Sequence, residues 1–270
     1  MTYDPAKNSA GCYDDAIAEM RWRKECEQIP AKRVEHIGAC TLFEGDCLEI
    51  LPTLGKVDAI ICDPPYDAKT HRGARYGFLA TSSEIPFAPI VPADVVPAMM
   101  AASDGWVLAF CALEAFGDYK AAAPDCWVRA GFWRRINGVP QFTGDRPGQP
   151  GEGVAIMHSG QRKKEWSGNG TYAYWESPIV SGGPHPTTKP VDLMGRLVRL
   201  FTSPGETVCD PFMGSGTTLV ACANLGRRGI GIEIEEKYFD IACKRVEDAY
   251  RQPRLFDEPV RKAKQEGLDL

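Results

Sequence analysis

Val57–Tyr66 reads VDAIICDPPY. The run Val57–Cys62 is apolar-dominated without strict alternation, as expected of a strand buried on both faces. Pro64 and Pro65 carry no backbone N–H, so ladder pairing stops there and the chain leaves the sheet in a stiff, extended turn. The turn holds one carboxylate, Asp63, at its start and one ring, Tyr66, at its end. In open α/β sheets, ligands bind beyond the carboxyl ends of strands, which is where this turn sits. The plainer alternative is a proline-rich strand exit with a solvated Asp and a packed Tyr.

A second stretch points the same way. Thr207–Cys209 reads as a strand, followed by Asp210-Pro211-Phe212-Met213-Gly214-Ser215-Gly216-Thr217-Thr218, a helix at Leu219–Leu225, and a strand at Arg228–Ile234 with Glu233 near its end. Glycines let backbone approach a ligand closely at a helix N-terminus. Strand, Gly-rich turn, helix, strand and terminal acid form a nucleoside-binding layout, the acid accepting ribose hydroxyls. No Lys follows Gly216, so this is not a phosphate loop, and Leu219 stands where the dinucleotide fingerprint needs its third glycine.

Together these stretches resemble the amino-group DNA methyltransferases, which move a methyl group from S-adenosylmethionine to the exocyclic nitrogen of adenine or cytosine. The resemblance runs from about residue 37 to 250. It implies that Asp63, Pro64, Pro65 and Tyr66 form the catalytic turn, with Tyr66 stacking on an extruded base. It implies cofactor contacts from Asp210, Pro211, Phe212, Gly214, Ser215, Gly216, Thr217 and Glu233. Gly45-Asp46-Cys47 matches the place where the family contacts the cofactor's adenine amino group, although Asp46 equally suits a helix N-cap. His185-Pro186-Thr187-Thr188-Lys189-Pro190 is similar to the segment lining the methionine end, which assigns Lys189 to the cofactor. The catalytic turn precedes the cofactor loop, which resembles the β arrangement of the family. The implied fold is α/β and Rossmann-like: a mostly parallel seven-stranded sheet with an antiparallel edge hairpin, circularly permuted relative to enzymes that place the cofactor loop first. Relatives with Asp at position 63 typically modify adenine N6, and those with Ser more often cytosine N4, so the resemblance implies an adenine target in duplex DNA, reached by base flipping.

Between and around these motifs the sequence predicts a strand at Ile37–Phe43, a short helical link at Cys47–Leu54, a helix at Ala93–Ala102, a strand at Gly105–Cys111 and a helix at Leu113–Ala122. Further strands are predicted at Cys126–Asn137 and Val154–His158, and helices at Val191–Phe201 and Glu236–Tyr250, the last with Tyr238, Ile241, Ala242 and Val246 on one face. Residues 1–36 form an N-terminal extension, 37–250 the catalytic domain, and 251–270 a charged tail. Residues 67–97 carry Lys69, Arg72 and Arg75 among aromatics beside the catalytic turn, a pattern suited to DNA phosphates. Residues 140–175 are the predicted target-recognition segment, with Arg162, Lys163 and Lys164 as phosphate contacts and Tyr172, Tyr174 and Trp175 as packing or base contacts. Gln252-Pro253-Arg254-Leu255-Phe256 resembles the short peptide that docks on bacterial sliding clamps.

At 270 residues and 44% hydrophobic content, the chain can bury a large core. Its net charge of −5 means that any DNA contact comes from local basic patches rather than from bulk charge. Ten cysteines without a C-x-x-C pair, several inside apolar runs, read as reduced buried thiols and not as metal ligands. No stretch is long enough to span a membrane, so the expectation is a cytoplasmic protein, compatible with a homodimer, whose partner is double-stranded DNA. Alternatives from other classes are a nucleotide-dependent oxidoreductase and a non-catalytic nucleic-acid-binding module; a methyltransferase acting on RNA or protein is a third.

Overall fold

The structure, a computed structural model, describes residues 17–65, 90–138, 144–145, 147–180 and 188–252. Its frame is a single sheet with nine strands among the described residues, in the order β1-β2-β9-β8-β3-β4-β6-β5-β7. The strands are β1 Arg33–Ile37, β2 Cys40–Glu44, β3 Val57–Cys62, β4 Ser103–Cys111, β5 Trp127–Arg135, β6 Gly151–His158, β7 Tyr174–Ser177, β8 Thr207–Asp210 and β9 Arg228–Glu233. The helices are α1 through 17–26, α2 Cys47–Ile50, α3 Pro92–Ala102, α4 Phe116–Ala122, α5 Val191–Phe201, α6 Thr217–Leu225 and α7 Glu236–Arg251.

The middle of the sheet, β2-β9-β8-β3-β4, is parallel, while β1 at one side and β6 at the other run antiparallel to their neighbours. The expected mixed, mostly parallel architecture is therefore present, with two strands more than the seven expected. Part of the excess is the predicted strand Ile37–Phe43, which is in fact a hairpin. Gly38 takes φ +57 and turns the chain between β1 and β2, a backbone region in which glycine has no steric penalty. The sheet thus begins at Arg33, inside what the sequence marked as an N-terminal extension. Trp22 and Cys26 of α1 also pack into the core. The other added strand is β7, which starts at the end of the predicted recognition segment and pairs parallel to β5.

Strand β3 shows why this sequence sits at the centre. Val57, Ile60 and Cys62 join the core layer under α2, α3 and α4, while Ala59 and Ile61 join the layer under α5 and α6. Alternate strand residues point to opposite faces, so only a run apolar on both faces fits between two helical layers. On α7 the buried residues are Phe239, Ala242 and Val246. Phe239 takes the core position in place of the expected Tyr238. The nine described cysteines are all free thiols. No helix among the described residues is long and apolar enough to cross a membrane.

Candidate active site

Four neighbouring parallel strands deliver four acids to one edge of the sheet. Asp46 follows β2, Glu233 closes β9, Asp210 closes β8, and Asp63 follows β3. From β3 the chain passes through α3 to β4 on one side; from β8 it passes through α6 to β9 on the other. Connections leaving in opposite directions from adjacent strands open a crevice between them, and that crevice is where α/β sheets bind ligands. Asp63 and Asp210 stand on either side of it.

The Gly-rich loop is held rigidly around its acids. Asp210 is buried; its Oδ2 accepts from the Thr218 hydroxyl at 2.5 Å and its Oδ1 from the Phe212 N–H at 3.0 Å. Burial pushes its pKa up to about 7, against the lowering effect of those two hydrogen bonds. Glu233 accepts from the Gly214 N–H through Oε2 and the Glu235 N–H through Oε1, both at 2.9 Å. Burial likewise raises its pKa above the usual carboxylate range. Gly216 has φ +78, and a Cβ there would lie 2.9 Å from the Ala242 Cβ on α7. Glycine thus meets both a left-handed backbone and a close helix. Beside Gly214 (φ +50) a Cβ would meet no atom within 4 Å, so the loop faces open space at this point. Arg245 of α7 tethers the loop from the other side, donating to the Ser215 carbonyl (2.5 Å), the Ser215 Oγ (2.8 Å) and the Thr217 Oγ1 (3.2 Å).

Asp46 is the N-cap of α2, its Oδ1 accepting from the Leu48 N–H at 2.8 Å. Cys47 next to it is buried in the core, and burial pushes its thiol pKa up to about 12. The Gly45 N–H donates to the Glu233 carbonyl at 2.9 Å, tying the exits of β2 and β9 together.

Lys189, assigned by sequence to the cofactor segment, comes against Asp63 at the exit of β3. Its Nζ lies 2.5 Å from Asp63 Oδ2 and 3.1 Å from Glu152 Oε2. It sits over the rings of Phe110 (4.9 Å) and Trp133 (5.9 Å). Its side chain is only 7% exposed. Burial alone would lower its pKa, but the charges of Asp63 and Glu152 outweigh burial and hold it above the ordinary lysine value.

Other predicted contacts fall elsewhere. Arg162 pairs with Asp58 (2.8 Å) and Glu206 (3.0 Å). Asp58 lies at the start of β3 and Glu206 just before β8, so this cluster marks the edge of the sheet opposite Asp63 and Asp210. Lys163 and Lys164 are exposed on the same loop, which Trp166 anchors by packing on Phe201 of α5. The structure therefore does not bring these three cations to the crevice. Trp175 is buried and packs against Phe201. Tyr174 stacks on Phe132, and Tyr172 is exposed. Tyr66, Lys69, Arg72, Arg75, the His185-Pro186 pair and residues 253–256 of the clamp-like peptide lie outside the described residues. Glu152 and Arg245 escaped the sequence reading. Glu152 is a lone acid between two glycines, and Arg245 is one of several charges on an amphipathic helix; neither pattern singles out a site residue.

Residues 125–244 match the family described as DNA methylase, N6_N4_Mtase. Over 257 residues the chain is 27% identical to the type II methyltransferase M.HinfI of Haemophilus influenzae, covering 79% of this chain and 70% of that one. The crystal structure of the M1.HpyAVI–SAM complex superposes with a TM-score of 0.59 at 27% identity, covering 76% of this chain and 99% of that chain. The cytosine-N4-specific PvuII DNA methyltransferase superposes with a TM-score of 0.61 over 80% of this chain and 92% of its own, at 14% identity, which speaks for the fold alone. In sequence and in fold the chain is thus similar to the DNA amino-methyltransferases, the enzymes that methylate adenine N6 or cytosine N4.

Proposed function

We propose that the chain methylates the N6 amino group of adenine in duplex DNA, using S-adenosylmethionine. The observation that carries this reading is the placement of Asp63 and the Asp210–Thr217 loop on adjacent strand ends across one crevice. The donor set suits the cofactor. Carboxylates at Asp210, Glu233 and Asp46 match an ammonium, a ribose diol and an adenine amino group, and the loop around Gly214 opens onto free space. When bound, the cofactor supplies an electrophilic methyl group on a sulfonium.

The remaining work belongs to the chain's own residues. A base inside a duplex is out of reach, so the target must be extruded, with Tyr66 as the stacking ring. Asp63 accepts from the exocyclic amino group, together with the Pro64 carbonyl. Those bonds fix the nitrogen and draw its lone pair out of conjugation. Most of the rate then comes from orientation, which can supply about 7–11 kcal/mol for well-placed reactants. Asp63 acts as an acceptor and orienter. Its Oδ2 is paired with the Lys189 ammonium, and the amine proton becomes acidic only after methylation, when solvent can take it. Lys69, Arg72 and Arg75 are the proposed phosphate contacts.

Asp at position 63 favours adenine over cytosine N4. The test is to supply labelled cofactor with duplex DNA, RNA or protein, then digest the product to nucleosides and weigh them. N6-methyladenine in DNA is expected. N4-methylcytosine alone would overturn the base assignment, and label confined to RNA or protein would overturn the substrate class.

A further inference from the structure

Around the catalytic turn, charges alternate in a line. Arg135 of β5 lies 3.7 Å from Glu152 Oε1, Glu152 Oε2 lies 3.1 Å from Lys189 Nζ, and Lys189 Nζ lies 2.5 Å from Asp63 Oδ2. The members come from three different strand ends and from the segment leading into α5. Glu152 sits near the start of β6, where Gly153 pairs with Cys111 at the end of β4, so it reaches the crevice edge from the antiparallel side of the sheet.

Stability alone does not account for this arrangement. Replacing a buried ion pair or triad by packed apolar residues is often neutral or stabilising. The ammonium already lies over the rings of Phe110 and Trp133, a position that a neutral side chain would fill at less desolvation cost. Three N–H donors on a flexible stem are also a poor way to fix a single direction unless a second acceptor pins them. Glu152 is that second acceptor.

We propose that Glu152 is a positioning residue for methyl transfer: it pins the Lys189 ammonium against Asp63 Oδ2 and so fixes the orientation of the carboxylate that receives the target amino group. This rests on the reading of Asp63 as the acceptor for that group. Lys189 then serves the catalytic turn rather than the methionine end of the cofactor. The arrangement holds only while Lys189 is protonated. The charged groups facing Lys189 are Asp63 from the end of β3 and Glu152 from β6, with Arg135 of β5 behind Glu152. The Cys111 thiol of β4, near both carboxylates, is pushed up to about 12 by burial and stays neutral over the working range. Removing the Glu152 charge leaves burial less opposed, so the pKa of Lys189 must fall.

The test compares wild type, Glu152→Gln, Lys189→Arg and the double variant. Single-turnover methyl transfer to saturating duplex DNA is measured from pH 6 to 11, alongside the equilibrium Kd for S-adenosylmethionine. The Lys189 side-chain titration is followed by NMR in wild type and Glu152→Gln. The expected result for Glu152→Gln is an unchanged cofactor Kd and a rate lowered about 10- to 100-fold, the scale of a misplaced reactant. Its alkaline limb moves to lower pH by about one unit or more, in step with the Lys189 resonance. Lys189→Arg in the same background removes that limb, because a guanidinium stays charged. A wild-type rate and profile in Glu152→Gln would overturn the proposal. So would a lowered rate with an unmoved limb and an unmoved Lys189 titration, which is the signature of a purely structural residue. A rate loss fully explained by weaker cofactor binding would return Lys189 to the cofactor and also overturn it. If the wild-type protein itself methylates no DNA, the assigned reaction fails first; if the wild type is active and only the variant profile stays put, the role of Glu152 fails alone.

Discussion

Replacing Asp63 by Ala separates chemistry from cofactor binding more cleanly than any other change at this edge. Asp63 stands beyond β3, while the Gly-rich loop and Glu233 hang from β8 and β9. None of the loop's own hydrogen bonds to Asp210, Glu233 or Arg245 involves Asp63. The variant removes one acceptor to the target amino group. A hydrogen bond to a charged partner contributes about 1.5–3 kcal/mol, or about 10- to 150-fold in rate. Loss of orientation multiplies this, since a displacement of about 1 Å can cost about 100-fold. A fall of about 10³-fold or more in single-turnover methylation is expected, with the cofactor Kd within about threefold of wild type. Stability should change less. Orphaning a buried charge costs about 3–5 kcal/mol, but Lys189 retains Glu152 at 3.1 Å and Asp63 is itself 23% exposed. A loss of about 1–2 kcal/mol follows, or a fall of a few degrees in Tm for a domain of this size. The assay is tritium transfer to duplex DNA under single-turnover conditions, with calorimetric cofactor binding and thermal unfolding on the same preparation. Methylation by Asp63→Ala at the wild-type rate would refute the mechanism. Equal loss of cofactor binding would show that the two halves of the crevice are not separable as described.

Gly216→Ala should lower stability by about 1–3 kcal/mol and weaken cofactor binding, because the new Cβ faces both a left-handed backbone and the Ala242 Cβ at 2.9 Å; paired thermal melts and titrations check it. Asp210 has a folded pKa of about 7, above its unfolded value of about 3.9. The folded state therefore binds the extra proton, so the stabilisation from Asp210 is full below about pH 4 and is lost as pH rises through 7. Urea unfolding of ligand-free protein from pH 4 to 8 should show this downward component, and Asp210→Asn should abolish it; an unchanged slope in the variant would sink the assignment. Arg227 is fully buried and donates to the carbonyls of Leu225 (2.6 Å) and Thr202 (3.0 Å). Arg227→Met should cost about 2–4 kcal/mol by leaving those acceptors without it, with methyl transfer by the remaining folded protein unaltered.

The elements legible in the sequence are those whose signal is local. Val57–Cys62 declares a doubly buried strand because every residue type along it fits between two apolar layers, and Pro64-Pro65 forces its end. The helix at Val191–Phe201 forms over the predicted span, since its apolar positions recur at helical spacing after Pro190. The loop from Asp210 to Thr217 is legible because glycine at 214 and 216 answers a backbone need that the following helix start makes explicit. Where the signal was not local, the reading slipped. Gly38 turns one predicted strand into two, with β1 pairing to β2 and β2 to β9. Trp175, in a basic, aromatic stretch, reads equally as a packing residue or a base contact, and the sequence does not choose between them. The partner that buries it, Phe201, is 26 residues away and on a helix.

A cation near a candidate site in sequence has no fixed place until the strands are ordered. Arg162 precedes the cofactor loop by fewer residues than Asp63 does, yet it closes the opposite edge, because β8 begins beside Asp58 and its 4 residues end at the crevice. Lys189 made the reverse journey. It leads into a helix that runs down the sheet, so its own end of that helix stays at the crevice and Phe201 reaches the far edge beside Trp106 and Trp166. A lysine at that point can meet an anion of the ligand or an anion of the catalytic turn, and the sequence motif alone is the same for both. What separates them is Glu152, delivered by an antiparallel strand that the parallel motifs give no hint of. With two carboxylates on its ammonium, Lys189 is held against Asp63, and the proposed acceptor for methyl transfer is supported by a strand outside both diagnostic motifs.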